Sequence, residues 1–177
     1  MSAILTHLGQ ESRGTQMRIS AKADYAVRAT LELASSPDGK PIKGTKLAEA
    51  QEIPLQFLEH ILLDLKRAGM VRTKRGARGG YWLAEDPAKV SVADVIRAVE
   101  GPLANIQDLP PEETKYDGAA ERLRDVWIAV RQNLREVLEN VTLEELASKQ
   151  LPEAVTSLLD EPEAWVARET GSHDVVR

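Results

Sequence analysis

The chain has 177 residues, of which 42% are hydrophobic and 29% are charged, and it contains no cysteine. This composition is typical of a globular protein with one main core, and the length leaves room for an additional dimerising element. The lack of cysteine excludes disulfides, thiol nucleophiles and Cys-ligated zinc or iron–sulfur sites. No apolar run reaches the roughly 18 residues of a membrane span. We therefore expect a cytoplasmic protein with no membrane anchor, metal or cofactor.

The charges are distributed unevenly along the chain. Residues 17–100 hold 14 Lys/Arg and 11 Asp/Glu, whereas residues 101–177 hold 8 and 16. The net charge of −5 therefore combines a basic first half with an acidic second half. An asymmetry of this kind indicates that the first half faces a polyanion while the second half has another task.

Patterned sequence begins at Met17. Residues 1–16 lack the basic and apolar regions of a signal peptide. We expect them to be a flexible N-terminal extension, or to precede the real start of the protein. Residues 17–100 are then the first folded unit.

Three helices are predicted at the start of this unit. The first spans about 20–34 behind the N-cap Ser20, and a Pro-Asp-Gly turn ends it. A short second helix follows, and a break of a few residues separates it from a third helix at about 54–68, which ends at Gly69. This order predicts a helix-turn-helix. The buried stripe of the third helix has the spacing i, i+3, i+4, i+7 and comprises Leu58, Ile61, Leu62 and Leu65.

The segment 71–83, VRTKRGARGGYWL, predicts a β-hairpin directly after the third helix. A nucleotide-binding phosphate loop would need GxxxxGK[ST], and a dinucleotide fingerprint would need a helix after the glycines; neither is present. Two interpretations remain open. One is a plain hairpin whose glycines adopt positive φ. The other is a wing that touches DNA.

Charge favours the wing. Six cations and no acid lie within the thirteen residues 66–78. Lys and Arg neutralise phosphates and release counterions, and an Arg at a glycine-rich tip can enter the minor groove. The predicted contacts here are Lys66, Arg67, Arg72, Lys74, Arg75, Gly76, Arg78, Gly79 and Gly80.

The third helix is the candidate recognition helix. Its outward face carries Gln56, Glu59 and His60 near the amino-terminal end, which is the end that enters the major groove in helix-turn-helix proteins. Glutamine can pair with adenine, glutamate can accept from cytosine N4, and histidine can contact a base edge or a phosphate. Phe57 is either part of the core or a contact for a thymine methyl. The alternative for each polar residue is a solvated surface side chain.

The second half predicts a loop and a long helix. Ser91 and Asp94 form a capping box for a fourth helix, and residues 101–119, rich in proline, glycine and acids, predict a loop. Residues 120–147 then carry an apolar seam with heptad spacing over nearly three heptads. Thr142 and Glu145 form a second capping box, at which this helix can break. The predicted dimerisation residues are Leu123, Trp127, Val130, Leu134, Val137 and Val141.

Two features of the second half have alternatives. Trp127 lies on the seam, which favours the dimer core over a ligand pocket. Residues 148–177 mix proline with acids and show little periodicity, so we expect an acidic, mostly mobile tail. The expected fold is mainly α with a small β-hairpin: a winged helix-turn-helix followed by a long dimerisation helix.

Several of these segments together resemble the Rrf2 family of winged-helix transcription regulators. They are MRIS with the following Tyr-Ala, FLEHILLDLKRAGMV, RGARGGYWLA and ADVIRAVEGP, and the similarity covers about residues 17–145. The resemblance implies a homodimer joined through the long helix and a palindromic operator. It also implies recognition-helix contacts at Pro54, Gln56, Phe57, Glu59 and His60, and wing contacts from Arg75 to Gly80.

The chain departs from many members of that family in one respect. Those members hold an iron–sulfur cluster through three cysteines in the loop that matches residues 101–119, and this loop has none. The chain is closer to the cluster-free branch, which includes a repressor of cysteine metabolism.

We therefore expect a homodimeric, sequence-specific DNA-binding regulator, most simply a repressor, whose signal is not an iron–sulfur cluster. Its regulated genes are linked to cysteine or sulfur metabolism only by the resemblance. The alternative is a regulator that needs a protein partner or a small-molecule co-ligand to bind DNA. An enzyme is disfavoured, because the three histidines are scattered and no Ser-His-Asp grouping is visible.

Overall fold

The computed structural model describes residues 19–167. These residues contain seven α-helices and one β-hairpin. The predicted extension 1–16 lies outside them. The strands are β1 (Val71–Lys74) and β2 (Gly80–Leu83). The helices are α1 (Ala21–Ala34), α2 (Gly44–Gln51), α3 (Leu55–Arg67), α4 (Val92–Glu100), α5 (Leu123–Leu138), α6 (Leu143–Ala147) and α7 (Glu153–Leu159).

Three helices begin at side-chain caps that the sequence predicted: Ser20, Ser91 and Thr142. Ser20 Oγ accepts from the Ala23 N–H at 3.0 Å and starts α1. The Ser91–Asp94 capping box starts α4, and the corresponding box of Thr142 starts α6. Each cap satisfies N–H groups that have no partner within the helix.

The core lies in the first half of the chain, around α1. This helix packs against α2, α3, α4, α6 and β2. The predicted stripe of α3 is confirmed, because all four of its apolar residues are buried. The other fully buried large side chains include Leu47, Val71, Val95 and Leu143.

The turn between α2 and α3 is short because α2 ends in a left-handed residue. Glu52 has φ of 53°, and the Ile53 N–H then donates to the Ala48 carbonyl at 2.9 Å. Ile53 is buried, and Pro54 stands at the N-cap of α3. At the other end of α3, Gly69 has φ of 79° and completes a Schellman motif.

The hairpin is antiparallel, with Val71 opposite Leu83 and Lys74 opposite Gly80. A third extended segment pairs with it, since Ile42 and Tyr81 exchange two backbone hydrogen bonds of 2.9 and 2.8 Å. This bridge fixes the hairpin to the segment that leads into α2. The predicted fold class is confirmed.

The predicted helix over 120–147 is interrupted between Leu138 and Leu143, and α6 begins at the break that the Thr142 capping box predicted. Helix α5 ends at Leu138, and Val141 lies beyond it. The Val92 N–H donates to the Val141 carbonyl at 2.9 Å, and the Leu143 N–H donates to the Val90 carbonyl at 2.9 Å. Val141 and Leu143 are buried in their own chain, so the segment returns to the first half instead of continuing the seam.

Two further segments of the second half are ordered by local contacts. The loop 101–119 contains a short 3₁₀ turn at Pro111–Glu113, and a second turn, Gly118–Ala120, begins at its end. The Arg131 guanidinium joins the loop to α5 through Glu112 at 2.6 Å. The first part of the predicted tail contains a short helix that the sequence did not predict: α7 forms there, and Trp165 Nε1 donates to the Leu159 carbonyl at 2.8 Å. Residues 168–177 lie outside the described part.

Within residues 19–167, no helix has both the length and the hydropathy that a bilayer span requires.

Candidate nucleic-acid interface

Helix α3 presents a polar face opposite its buried stripe. Gln56, Glu59 and His60 are exposed in its amino-terminal half. Lys66 and Arg67 are exposed in its last turn. His60 Nδ1–H donates to the Gln56 carbonyl at 2.8 Å. With that proton on Nδ1, a neutral ring offers Nε2 as an acceptor to its surroundings. The face therefore offers both hydrogen-bond donors and hydrogen-bond acceptors, which are needed to discriminate base edges.

The amino terminus of α3 is open. Pro54 is the N-cap residue, and no side chain of residues 19–167 caps this end. Its first turn contains no acid, and the same is true of the first turn of α2. By contrast, α1, α4 and α6 have side-chain caps and acids in their first turns. Free N–H groups and a positive dipole end suit a phosphate.

Phe57 was predicted either to belong to the core or to contact a thymine methyl group. It is 41% exposed, so it is not a core residue. Its ring meets Tyr25 edge to face, with centroids 5.7 Å apart. The Arg28 guanidinium lies 5.4 Å from the centre of the Tyr25 ring. Helix α1 therefore supports an aromatic side chain whose outer part is free to contact a partner.

The hairpin carries its cations on the outside. Arg72, Lys74, Arg75 and Arg78 are all exposed, and the last two lie in the turn between the strands. In β1 only Val71 is buried. Strand β1 is therefore held in the core by Val71, and its remaining residues, which include Arg72 and Lys74, face away from the core.

The three glycines of the hairpin serve its own geometry. Gly76 has φ of 111° with open space around it. Gly79 is buried, and a Cβ there would lie 2.1 Å from the Lys74 carbonyl oxygen. A Cβ on Gly80 would lie 2.5 Å from the Ile42 carbonyl oxygen. Sequence reasoning assigned all three to DNA contact, but the last two are needed for the turn and the Ile42 bridge.

The structure adds three lysines that sequence reasoning missed. Lys40, Lys43 and Lys46 line a shallow groove together with Arg78 from the tip of the hairpin. We call this surface the lysine groove. The signal was present as three lysines within the seven residues KPIKGTK. Only the Ile42 bridge, however, places that segment beside the hairpin.

Asp64 is the acid of α3 nearest in sequence to Lys66 and Arg67, and two cations offset its charge. Lys22 Nζ lies 2.8 Å from one of its carboxylate oxygens, and Arg67 lies 3.5 Å from the other. The hydrogen bond from Lys22 holds the pKa of Asp64 below its usual value of 3.8. Lys22 also donates to the Val99 carbonyl at 2.6 Å, so one ammonium joins α1, α3 and α4.

Helix α5 is amphipathic, yet none of its 16 residues is buried. Leu134 of the predicted seam is 37% exposed, and Val126 beside the seam is 52% exposed. Leu123, Trp127, Val130 and Val137 are partly buried. An apolar helix face that its own chain covers only in part suits contact with a second surface. Val141 does not belong to this face.

The residues present do not fit the iron–sulfur cluster that many members of the resembled family hold. Such clusters are bound by thiolates, and the chain has no cysteine. Among residues 19–167 no group of three or more His, Asp or Glu side chains is arranged to hold a metal ion. No step of the function is therefore assigned to a cluster.

Comparisons with known proteins agree with this geometry. The family model Rrf2, described as iron-dependent transcriptional regulators, matches residues 19–149. A relative from Mycobacterium tuberculosis named as an HTH-type transcriptional regulator is 44% identical over 161 residues, which are 91% of this chain and 98% of the relative. The HTH-type transcriptional regulator CymR of Bacillus subtilis is 35% identical over 132 residues, covering 75% of this chain and 91% of CymR.

Solved structures of the family share the fold. The structure of CymR, the global cysteine regulator of B. subtilis, matches with a TM-score of 0.64 and 32% identity over 76% of this chain and 99% of that one. IscR of T. potens matches with a TM-score of 0.59 and 31% identity over 86% and 94%. The chain therefore belongs to the Rrf2 family and is a DNA-binding transcriptional regulator of the winged helix-turn-helix type.

Proposed function

We propose that the protein is a homodimeric repressor that binds a palindromic operator. The observation that carries the DNA-binding part of this proposal is the lysine groove, where cations from the segment before α2 and from its first turn meet Arg78 of the hairpin. The groove joins two basic segments that are distant in sequence into one surface. A surface of this kind matches the phosphate backbone, which supplies most of the sequence-independent affinity for DNA.

Base recognition is assigned to α3. Gln56, Phe57, Glu59 and His60 reach base edges in the major groove, while the open terminus at Pro54 receives a phosphate. Lys66 and Arg67 at the other end of α3 contact the backbone. In the wing, Arg72, Lys74, Arg75 and Arg78 contact phosphates or the minor groove, and Gly76 lets the tip approach closely. Gly79 and Gly80 contribute through the shape of the hairpin.

Dimerisation is assigned to α5. Its partly covered apolar face, with Leu123, Trp127, Val130, Leu134 and Val137, packs against the same face of a second chain. Such a symmetric contact places two copies of α3 in successive major grooves, about 34–36 Å apart. A dimer that occupies an operator in this way excludes other proteins from it, which supports repression. The proposed site of action is the cytoplasm.

The sulfur link rests on one relative. CymR is the global cysteine regulator of B. subtilis, and the present chain shares its fold and about a third of its residues. We propose that the regulated genes belong to cysteine or sulfur metabolism. Because the chain has no thiol of its own, its signal is not a cysteine modification, and we propose that a ligand or a protein partner delivers it.

The first experiment measures fluorescence anisotropy of labelled DNA from upstream of the protein's own gene, with a shuffled duplex as the control, at physiological salt. We expect a clear preference for the native sequence. The variant Lys43→Ala/Lys46→Ala should lose affinity for both duplexes to a similar degree, because phosphate contacts carry no sequence information. The matched control is Lys115→Ala/Lys149→Ala, which removes two exposed lysines from the acidic half.

Two outcomes would change the proposal. Equal affinity for the native and shuffled duplexes would favour the alternative, a regulator that requires a protein partner or a co-ligand. In that case partners captured from lysate would be tested for restoring the preference. Unchanged affinity of the Lys43→Ala/Lys46→Ala variant would remove the lysine groove from the interface.

A further inference from the structure

One arginine of α1 holds the end of α2. The Arg28 guanidinium donates from Nη2 to the Gln51 carbonyl, and from Nε to Oε1 of the Gln51 side chain at 3.1 Å. Gln51 is the last residue of α2, and its side-chain amide donates to Glu32 of α1. The last carbonyls of a helix have no partner within it, so Arg28 satisfies one of them. These contacts fix the point at which the chain turns from α2 towards α3.

The guanidinium of Arg28 is committed to partners within the chain. Its remaining nitrogen, Nη1, donates to Asp24 at 3.3 Å, so each of the three nitrogens has an acceptor. The side chain of Arg28 is 34% exposed, whereas that of Arg67 in the last turn of α3 is 70% exposed. Arg28 is therefore placed to support other groups of the protein, and Arg67 is placed to meet a phosphate.

Arg28 also supports an aromatic pair that reaches α3. Its Cζ lies 5.4 Å from the centre of the Tyr25 ring. The Tyr25 ring in turn meets the Phe57 ring edge to face, at an interplanar angle of 83°. Both contacts are attractive geometries for aromatic rings. We call Tyr25 and Arg28 the α1 clamp.

Phe57 is the residue on which the α1 clamp acts. It is the third residue of α3 and therefore lies at the end of the helix that enters the major groove in the proposed complex. Thymine presents its 5-methyl group in that groove, where an apolar side chain can recognise it. A phenyl ring has no hydrogen-bonding atom that would orient it against a base. Its position must therefore be set by neighbouring side chains of the protein.

We infer that Tyr25 and Arg28 are positioning residues for base recognition, which hold Phe57 where its ring contacts the methyl group of a thymine. The inference rests on the proposed function and deepens it, because it assigns an operator base to Phe57. Arg28 acts on Tyr25 and on the end of α2, and Tyr25 acts on Phe57. None of the three belongs to the apolar face of α5 that the proposed homodimer covers.

The first measurement follows Phe57 in the full-length protein without DNA. The chain contains a single phenylalanine, so ring-¹³C-labelled phenylalanine gives NMR signals from this residue alone. We expect Arg28→Lys to shift them, because lysine keeps the charge but lacks the planar fork that binds Gln51 and covers Tyr25. Arg97→Lys is the matched control, since Arg97 is 33% exposed and forms its ion pairs within α4 and with the end of α5. Signals that move equally in both variants, or in neither, would overturn the positioning role.

The second measurement identifies the base. Each thymine of one operator half-site is replaced in turn by uracil, which lacks only the 5-methyl group, and affinity is measured by fluorescence anisotropy. The unmodified protein should lose about fourfold in affinity at one thymine, as expected for one methyl group removed from an apolar contact. Phe57→Ala and Tyr25→Leu should both abolish this sensitivity at that thymine. Tyr25→Phe keeps the edge-to-face ring and should retain it.

Arg28→Lys separates positioning from charge. It should reduce the methyl sensitivity at the same thymine and leave the salt dependence unchanged, because the number of charges is the same. A merely structural role predicts that affinity for operator and shuffled DNA falls by one factor while the methyl sensitivity persists. That result would overturn the inference, as would a clamp variant that loses sensitivity at a different thymine from Phe57→Ala. Circular dichroism verifies that each variant is folded.

Failure of the proposed function is distinguishable from failure of this inference. Equal affinity of the unmodified protein for native and shuffled duplexes would contradict the proposed function and overturn the thymine contact with it. A clear operator preference without any sensitivity to uracil would overturn the thymine contact alone. The ring signals of Phe57 involve no DNA, so they decide in either case whether Arg28 positions the ring.

Discussion

The two halves of the chain differ in how completely they bury their apolar residues. Up to residue 100, the helices and the hairpin enclose a core in which Leu47, Leu58, Leu62 and Leu65 are fully buried. In the second half, the 16 residues of α5 include none that is buried. The first half is also the basic one, and the second is acidic. The first half therefore holds most of the core, to which Val141 and Leu143 of the second half return, whereas α5 keeps an apolar face that its own chain covers only in part.

The largest expected effect comes from breaking the proposed dimer. Leu134→Glu places a charge on the exposed apolar face of α5 and should convert a dimer into a monomer. Operator affinity should fall on the order of 10²–10⁴-fold, because the second half-site contact is lost. Sedimentation velocity and anisotropy measure the two effects. Gln132→Glu, an exposed position outside the predicted seam, is the control; a Leu134→Glu protein that stays dimeric would show that α5 is not the interface.

Gly80→Ala should destabilise the first half strongly. The new Cβ would lie within 2.5–2.6 Å of the backbone of Ile42, and this clash adds to backbone strain of about 1–3 kcal/mol. Gly76→Ala has open space around it and should show the strain alone. Urea unfolding of the two variants separates the contributions. Equal losses would mean that the Ile42 bridge does not constrain the hairpin.

Arg75→Ala/Arg78→Ala should weaken binding to every DNA sequence. If each arginine neutralises one phosphate, the slope of log K against log salt should decrease by roughly 4 for the dimer. Anisotropy at several salt concentrations measures it. The acidic half offers a matched control in Arg122→Ala/Arg124→Ala, which removes the same charge. A slope that is unchanged in the wing variant would exclude the wing from the interface.

Gln56→Ala should alter specificity more than affinity. Loss of a bidentate base contact costs about 1–3 kcal/mol of discrimination at one base pair, while non-specific binding changes little. Competition between the operator and single-base variants identifies the position. An equal loss on operator and shuffled DNA would show that Gln56 contacts only phosphate.

The smallest effect concerns the pH dependence of the first half. The pKa of Asp64 is lowered by the hydrogen bond from Lys22, so its ion pair stabilises the fold above the usual pKa of 3.8 and is lost as the pH falls through the lowered value. The contribution should be about 0.2–1 kcal/mol. Asp64→Asn should remove it, which acid titrations of the unfolding free energy can measure. Asp38→Asn, whose ion pair with Lys40 is far more exposed, should change almost nothing.

Local signals made much of the fold predictable. The spacing of apolar residues located α1 and α3, and Ser20 and the Ser91–Asp94 box marked helix starts, because these interactions join residues within one helical turn. The glycines of the hairpin were recognised as a turn for the same reason. The exposed side chains of α3 followed directly from its buried stripe. These features required no knowledge of distant contacts.

The errors arose where distant segments meet. Heptad spacing continued through Val141, but the capping box of Thr142 and pairing with the strand-like segment before α4 end the helix earlier. The lysine groove was missed because its members come from two segments that only the Ile42 bridge unites. Helix α7 was missed because its few apolar residues lie among prolines and acids.

The amino-acid sequence by itself determined the helices of the first half, the hairpin with its cations, the polar face of α3 and the exclusion of a cysteine-ligated cluster. Each depends on residue type or on spacing within a few residues. The tertiary structure alone decided where α5 ends, which lysines lie beside the wing and which backbone atoms approach Gly80. Those outcomes depend on packing between segments far apart in the chain, which periodicity and caps do not encode.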